Sequence, residues 1–427
     1  MTDRSKEFKP GLVPRLFLCY LLGSFYFGFV CVVQADETTE AQFIVRSADA
    51  KEVLGQLEKI TKNWDLTLMS AKPTVVPHTQ LISVRQKDVQ IPGFPSGPQL
   101  CLTSGTRLVI DPKKKIELVD EHVSVSLQQA VRPTDRQPLR VFLPFVKAIW
   151  LAAPDRLPDE IAFRREFLES PRRQDVILLR SGDRILGTVL ALDTKTGCKL
   201  KSRKTEILIP FHQIAAIGFN SNLLAPSRTT GLSARCILAG GERVTLTSAM
   251  INPKQHSLVG KTAEGGKIVF PLKALLSLQI DNGAATYLSD LNPTKYTHTR
   301  FLSIRWLYRI NRNVVGHTLR LSNGVRDRGV GMHSASQLTY KLDAKYRWFE
   351  ADVGLDAITG RKGDVVVSIL REGNPKQLWS AKLNNEQRER TVRLNVKGLR
   401  TLILRVDFGR FGDVGDHVNW ADARLIK

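Results

Sequence analysis

Apolar and polar positions alternate with a period of two through the last third of the chain. In 400–407, Leu402, Leu404 and Val406 alternate with Ile403, Arg405 and Asp407, the spacing of a half-buried strand. Phe349, Ala351, Val353 and Leu355 repeat it, as do Val365, Val367 and Ile369. Turn signals separate these runs at Asn323-Gly324, Thr359-Gly360, Gly373-Asn374 and Asn384-Asn385, and nothing between them has helical spacing. The pattern predicts an antiparallel β-sandwich. A unit of about 130 residues buries about two thirds of its unfolded surface, enough for a core of its own.

Upstream, between 42 and 285, the same strand spacing comes in copies. Three times a short strand runs into a glycine turn followed by a cationic and then an apolar residue: Gly105-Thr106-Arg107-Leu108, Gly182-Asp183-Arg184-Ile185 and Gly241-Glu242-Arg243-Val244. Each is followed by an apolar strand that ends in proline, at Pro144, Pro210 and Pro271, which lie 39, 28 and 30 residues beyond Gly105, Gly182 and Gly241. Glycine permits positive φ at a tight turn, and proline, lacking the N–H a ladder needs, marks a strand end. A weaker copy comes first. There Pro77 carries the second signature and Ser47 to Lys51 stand in place of the glycine turn, although Val53, Leu54, Leu57 and Ile60 also read as a turn or two of helix. Copies of this size, each with several short strands, look similar to SH3-like or Sm-like barrels. The stretch 152–174, with Pro154, Pro158, Pro171 and mixed charge, reads as a linker carrying one short helix. The run Lys199-Leu200-Lys201-Ser202-Arg203-Lys204 reads as a solvated hairpin edge that opposes aggregation.

Charge and leader narrow the partner. The chain has 427 residues and a formal net charge of +22. Counting Lys+Arg minus Asp+Glu gives +2 for 1–35, 0 for 36–170, +9 for 171–299 and +11 for 300–427. Such a field concentrates anionic partners. Arg4, Lys6, Lys9 and Arg15 precede an uncharged stretch, 16–35, ending Val33-Gln34-Ala35, the layout of a cleavable export signal or, uncleaved, of a membrane anchor. A secreted, periplasmic or cell-surface location follows as an expectation, and nucleic acid is excluded as a partner. Cys19 and Cys31 fall in that leader. Cys101, Cys198 and Cys236 cannot all pair and lack metal or redox spacing, so they are expected as buried thiols. The expected organisation is a leader (1–35), a first β-barrel repeat region (36–170), two tandem β-barrel repeats (171–285) and a sandwich (286–427).

Within the sandwich two turns carry chemistry. The opening turn has Gly329, Gly331, His333, Ser336, Leu338 and Tyr340. The middle has Phe349, Ala351, Val353, Gly354 and Asp356, and the closing turn Asp416, His417, Trp420, Asp422 and Ala423. In this order the residues resemble the NPCBM family of carbohydrate-binding modules. The resemblance implies a galactose-binding-like jelly roll and a sugar site, with a galactose-like ligand. Asp356 is followed by Ala357, and Glu372-Gly373 stands where the family often has Asp-Gly, departures that argue against bound calcium.

Sugar recognition combines an aromatic face for the ring C–H groups with planar polar groups for the hydroxyls. Arg328, His333, Asp413, Asp416, His417, Asn419 and Trp420 are the candidate ligand-binding residues, provided that 333 and 417 meet on one rim of the sandwich with their polar groups open to solvent. The competing reading makes Trp420 a core residue and has Asp416 and His417 bracing the turn. Trp306, Trp348 and Trp379 are expected in the core. No nucleophile-elbow, zincin, Cys-x-x-Cys or P-loop motif occurs, so neither catalytic residues, metal nor cofactor is expected. The function expected is non-catalytic binding of a glycan, including an anionic one. The alternatives are a cell-surface or protein-interaction scaffold that has lost the sugar site, with a protein partner, and, third, a glycoside hydrolase, since two carboxylates a few ångströms apart would suffice for one.

Overall fold

The computed structural model describes residues 41–427 except 129–130, 158, 227–228, 230, 302–303 and 360–361. The expected export leader therefore lies outside the described residues. Four antiparallel units precede the sandwich. Unit 1 comprises Gln42–Ser47, Glu52–Ile60, Leu66–Met69, Pro73–Val76 and Leu81–Gln86. Its first strand pairs with both its second and its last, its second with its third, and its third with its fourth. Unit 3 (Asp175–Leu179, Arg184–Asp193, Gly197–Ser202, Thr205–Ile209, Ile214–Gly218) has the same order. So does unit 4 (Ser233–Leu238, Arg243–Asn252, Ser257–Thr262, Lys267–Pro271, Leu275–Asp281). Unit 2 runs from Gln99–Leu102 to Val146–Trp150 and inserts a strand, Glu117–Val119, after its second. The longer connection from His122–Val125 to its partner Leu139–Phe142, which holds the short strand Arg132–Pro133, accounts for its longer glycine-to-proline spacing. Among the described residues no ladder joins a fourth strand to a last one, so the sheets are open by hydrogen bonding.

The repeated signatures do the same job in each unit. Gly105, Gly182 and Gly241 have φ of +83°, +96° and +87°, and each donates its N–H to the carbonyl three residues back, at Leu102, Leu179 and Leu238. In unit 1 the turn has no glycine, yet Ala50 takes φ +68° and donates to Ser47 at 3.0 Å. Pro210 and Pro271 cap one 3-10 turn each, at Phe211–Gln213 and Leu272–Ala274, Pro144 lies in the first turn of another, Leu143–Phe145, and the last strand follows each. The helical reading of Glu52–Ile60 is corrected, since the segment is a strand paired on both sides. A bulge between Leu57 and Lys59 turns both Leu57 and Ile60 inward, and this three-residue step imitates a helix. The basic run lies where expected, in a hairpin, with Lys199 paired to Glu206 at 2.6 Å.

Last strands join the units in pairs. Ile149 faces Ile217 between units 2 and 3, and Val84 faces Leu278 between units 1 and 4. One apolar interior runs through all four and includes Val45, Leu100, Ile177 and Leu278. Cys101, Cys198 and Cys236 are buried and unpaired. In the linker the helix Glu160–Glu169 starts at Asp159, whose carboxylate caps Ala162 N at 2.9 Å. Its Phe167 and Leu168 join an apolar cluster with Trp150 and Ala216.

The C-terminal part is a sandwich of two antiparallel sheets. One runs Arg309–Ile310, Gly329–His333, His417–Ile426, Trp348–Leu355, Glu389–Asn395, with Ala285–Tyr287 also paired to His417–Ile426. The other runs Lys295–His298, Ser336–Lys341, Thr401–Phe408, Val365–Arg371, Asn374–Leu383. Leu402, Leu404 and Val406 face inward with Leu338, Phe349, Val367 and Trp420, so the period of two places the core as expected. The whole described chain is all-β apart from short helical turns and the one linker helix.

Ion pairs fasten the sandwich to the repeats. Glu350, 2 % exposed, accepts from Arg424 at 2.8 Å, from Arg393 beside it, and from Arg46 of unit 1 at 3.2 Å. Arg393 also donates to the Ala48 carbonyl at 3.0 Å. Arg243 of unit 4 grips Asp327 through two bonds of 2.7 and 2.8 Å. Burial raises the proton affinity of Glu350, but Arg424 and Arg46 more than offset this and hold its carboxyl below the ordinary range. Glu350→Ala strands three guanidinium groups in a half-dry interface. We expect a loss of about 3–5 kcal/mol in denaturant unfolding of the full chain, whereas replacement of the exposed Lys345 should change stability by less than about 0.5 kcal/mol.

Candidate functional site

Two glycines bring the histidines together. At Gly329 (φ +144°) an added Cβ would collide with the Trp420 carbonyl, and at Gly331 with the Arg312 carbonyl. Only a side-chain-free backbone lets Gly329–His333 lie between the neighbouring strand and the 311–313 segment. In that register His333 sits directly opposite His417. Their ring centroids are 5.4 Å apart. Trp306 closes the group by stacking on His333 at 4.5 Å and 10° and tilting against His417 at 5.5 Å. Its own carbonyl accepts the Tyr296 hydroxyl at 2.7 Å.

The polar groups around these rings are held from behind. His333 Nδ1 lies 2.9 Å from the Ser334 carbonyl. Since that partner only accepts, Nδ1 carries the proton and Nε2 is left as an acceptor. Asp416 accepts from Ser334 Oγ at 2.6 Å and from Asp364 N at 3.2 Å. Burial pushes the His333 imidazolium down to about 4 and also lowers His417 and the adjacent His298. Burial raises the Asp416 carboxyl to about 6, and the charges of Asp413 and Asp364 add to the rise. Near neutral pH both imidazoles are therefore uncharged; Trp306, His417 and Asp413 are half-buried at the rim, while His333 and Asp416, each 1 % exposed, lie beneath them. Phe301, Phe411 and Val414 are exposed, and Phe301 is set edge-on to Phe408 at 5.5 Å.

Of the seven sequence candidates, the structure brings together His333, His417, Asp416 and Asp413, and it removes three. Trp420 is fully buried in the sandwich core, edge-to-face with Trp379 at 6.5 Å. Asn419 is also buried and donates to Asp356 at 2.6 Å and to the Arg320 carbonyl at 3.3 Å. Arg328, 2 % exposed, lies over the Tyr287 ring at 4.2 Å and pairs with Asp281 at 2.5 Å and Asp290 at 3.1 Å, on the side facing unit 4. The physical reason is the strand period. Residues close in sequence on a strand point alternately to core and outer face, so Val418 and Trp420 turn inward, while Asn419 turns outward under the 311–321 segment. The expectation that both imidazoles open to solvent is corrected as well: His417 is half-buried, but His333 is 1 % exposed beneath Trp306. Trp306, expected in the core, is instead the half-buried cover of the site. The sequence offered one signal for it, an aromatic within 299–308, which has no strand alternation. Among the described residues no group of three or more His, Cys, Asp or Glu side chains is arranged to hold a metal ion.

The C-terminal part is a β-sandwich, and its residues 284–426 match the NPCBM/NEW2 domain. A protein of Renibacterium salmoninarum bearing the name of an endo-alpha-N-acetylgalactosaminidase is 25 % identical over 111 residues, 26 % of this chain and 7 % of that protein. The match thus spans only a small part of that relative. Among solved structures, a CBM51 module of Clostridium perfringens in complex with methyl-galactose is 23 % identical, covering 33 % of this chain and 99 % of that one, with a TM-score of 0.30. The CBM51-2 and INT domains of ZmpB from the same organism, in complex with GlcNAc, are 18 % identical over 42 % of this chain and 43 % of that one, also with a TM-score of 0.30. Scores this low transfer neither site nor ligand.

The titrations have opposite signs. His333, lowered to about 4 from 6.5, contributes stability that is complete above pH 6.5 and lost as pH falls through 4. Asp416, raised to about 6 from 3.8, contributes stability that is complete below pH 3.8 and lost as pH rises through 6. His333→Asn should therefore lose less melting temperature than the parent on acidification from pH 6.5 to 4, by about 3 °C or more. Asp416→Asn should gain on the parent as pH rises from 4 to 6. Melting curves across pH 4–7 check both, and parallel curves would remove the assigned burial effects.

Proposed function

We propose that this chain is an exported, non-catalytic carbohydrate-binding protein whose C-terminal sandwich takes a glycan at the rim where Trp306, His333 and His417 meet. The observation that carries this reading is the half-buried indole of Trp306 set against the half-buried imidazole of His417, with the half-buried Asp413 on the same turn. It supplies an apolar ring face next to planar acceptors and donors, which is the combination a sugar ring requires. The NPCBM/NEW2 match over 284–426 supports the same reading, and a galactose-like sugar is the ligand of choice. The four upstream units, taken as small SH3/Sm-like barrels over 36–170 and 171–285, present the sandwich (286–427) to a surface or partner. Export rests on the charged and apolar pattern of 1–35. Binding is weak, on the order of micromolar to millimolar, because one sugar buries few atoms.

A second reading has its own observation. His333 lies covered by Trp306, and Asn419 and Trp420 are buried, as in a sandwich that has kept its shape while serving as a scaffold for a protein partner. A glycan array on the full chain, including sulfated and uronic glycans, separates the two. Under the first reading a defined glycan class binds, and Trp306→Ala and His417→Ala each weaken it at least tenfold, with melting temperatures within a few degrees of the parent. Silence across the array at millimolar ligand would leave the scaffold.

A further inference from the structure

A cavity of about 230 Å³ lies away from the rim, where units 1 and 4 meet the outer face of the sandwich. It has room for about eight waters at ~30 Å³ each, the space of one pyranose-sized molecule. Glu52 and Thr391 stand exposed at its mouth. Its floor is apolar, with Ile91, Ile237 and Val325, and its walls are charged. The wall arginines are nearly all paired. Arg46 holds Glu52 and Glu350, each at 3.2 Å, Arg424 holds Glu350 at 2.8 Å, and Arg326 holds Asp422 at 3.2 Å. Arg85 differs. Its guanidinium donates to the Val89 carbonyl at 3.2 Å, and among the described residues no carboxylate lies within ion-pair distance of it.

Asp422 faces Arg85 across this space in a strained conformation. Its φ is +48°, at the bulge where Glu350 pairs with Arg424 but Asp352 pairs with Ala421. Positive φ in a non-glycine residue inside a strand costs on the order of 1 kcal/mol or more and is held only by its surroundings. The bulge swings the carboxylate out of the strand to line the cavity, where Gln279 donates to it at 3.4 Å. Asp352, which accepts from Thr391 at 2.8 Å, stands beside it.

We propose that the junction cavity is a binding site for one small polyhydroxy acid of hexuronate type, with its carboxylate on Arg85, its hydroxyls on Asp422, Asp352 and Gln279, and its C–H face on the apolar floor. The wall selects against more highly charged ligands. Its five carboxylates (Glu52, Asp327, Glu350, Asp352, Asp422) face the guanidinium groups of Arg46, Arg85, Arg326 and Arg424 in the lining and of Arg243 and Arg393, which hold Asp327 and Glu350 from outside it, so one negative charge at Arg85 is matched and a second is not. The site is independent of the rim, and its ligand bridges repeats and sandwich.

Isothermal titration of the full chain with glucuronate and galacturonate, against glucose, galactose and inorganic sulfate, tests this. The uronates should bind at least tenfold more tightly than either neutral hexose or sulfate, and Arg85→Ala should weaken them at least tenfold. Hydrogen exchange on the unaltered protein reads the location even if that variant fails to fold: uronate should protect amides in 87–91 and 323–327. Absence of uronate binding at millimolar concentration, equal binding of the neutral hexoses, tighter binding of sulfate, or protection at 299–308 and 409–417 instead would each overturn the proposal. The last outcome would point to the rim and leave the carbohydrate reading standing.

Discussion

One strand, His417–Ile426, carries the rim, the core and the junction, and its period of two, reset once by the bulge at Asp422, decides which residue serves which. It is paired on one side by Gly329–His333 and on the other by Trp348–Leu355. Its first residue reaches the rim, Trp420 fills the interior, and Arg424 meets the buried Glu350 at the interface with unit 1. A shift of one residue in its register would exchange every one of these roles. The glycines opposite it, Gly329 and Gly331, leave room for that register.

Charge is used differently at the two ends of that strand. At the rim, burial drives the imidazoles toward neutrality and leaves Asp416 bonded to Ser334 and to a backbone N–H. At the junction, charges are kept and paired. Glu350 draws three arginines, Asp327 holds Arg243, and Arg107 and Arg243 lie over the Phe94 ring at 4.0 and 4.6 Å, with Glu169 balancing Arg107 at 3.2 Å. Some of the arginines of the second half of the sequence are therefore held in ion pairs at the junction and not on a free basic surface. Arg243, Arg326, Arg328, Arg393 and Arg424 serve this interface.

The repeats were legible because their turns constrain the backbone locally. A glycine at positive φ and a proline at the start of a 3-10 turn leave marks that do not depend on neighbours. Unit 1 shows the limit: Ala50 makes the same turn without glycine, held by the Ser47 carbonyl and by the Asp49 and Ser47 side chains at 2.5 Å. Its second strand read equally as helix because a bulge resets the alternation. The site was legible only in part. His333, Asp416 and His417 stand at turns, where sequence proximity and spatial proximity agree, whereas Asn419 and Trp420 lie one step into a strand, where they do not.

The sequence alone determined the all-β class, the copies before residue 285, the sandwich after it and the inward set Leu402, Leu404 and Val406. All of these follow from alternation and turn chemistry acting over a few residues. Tertiary structure alone decided that Trp306 lies on His333, that Arg328 turns to Asp281 and Asp290, and that a charged cavity remains between repeats and sandwich. Each of these depends on which segment covers which, and that is set by packing between parts of the chain tens to hundreds of residues apart, on which local patterning has no hold.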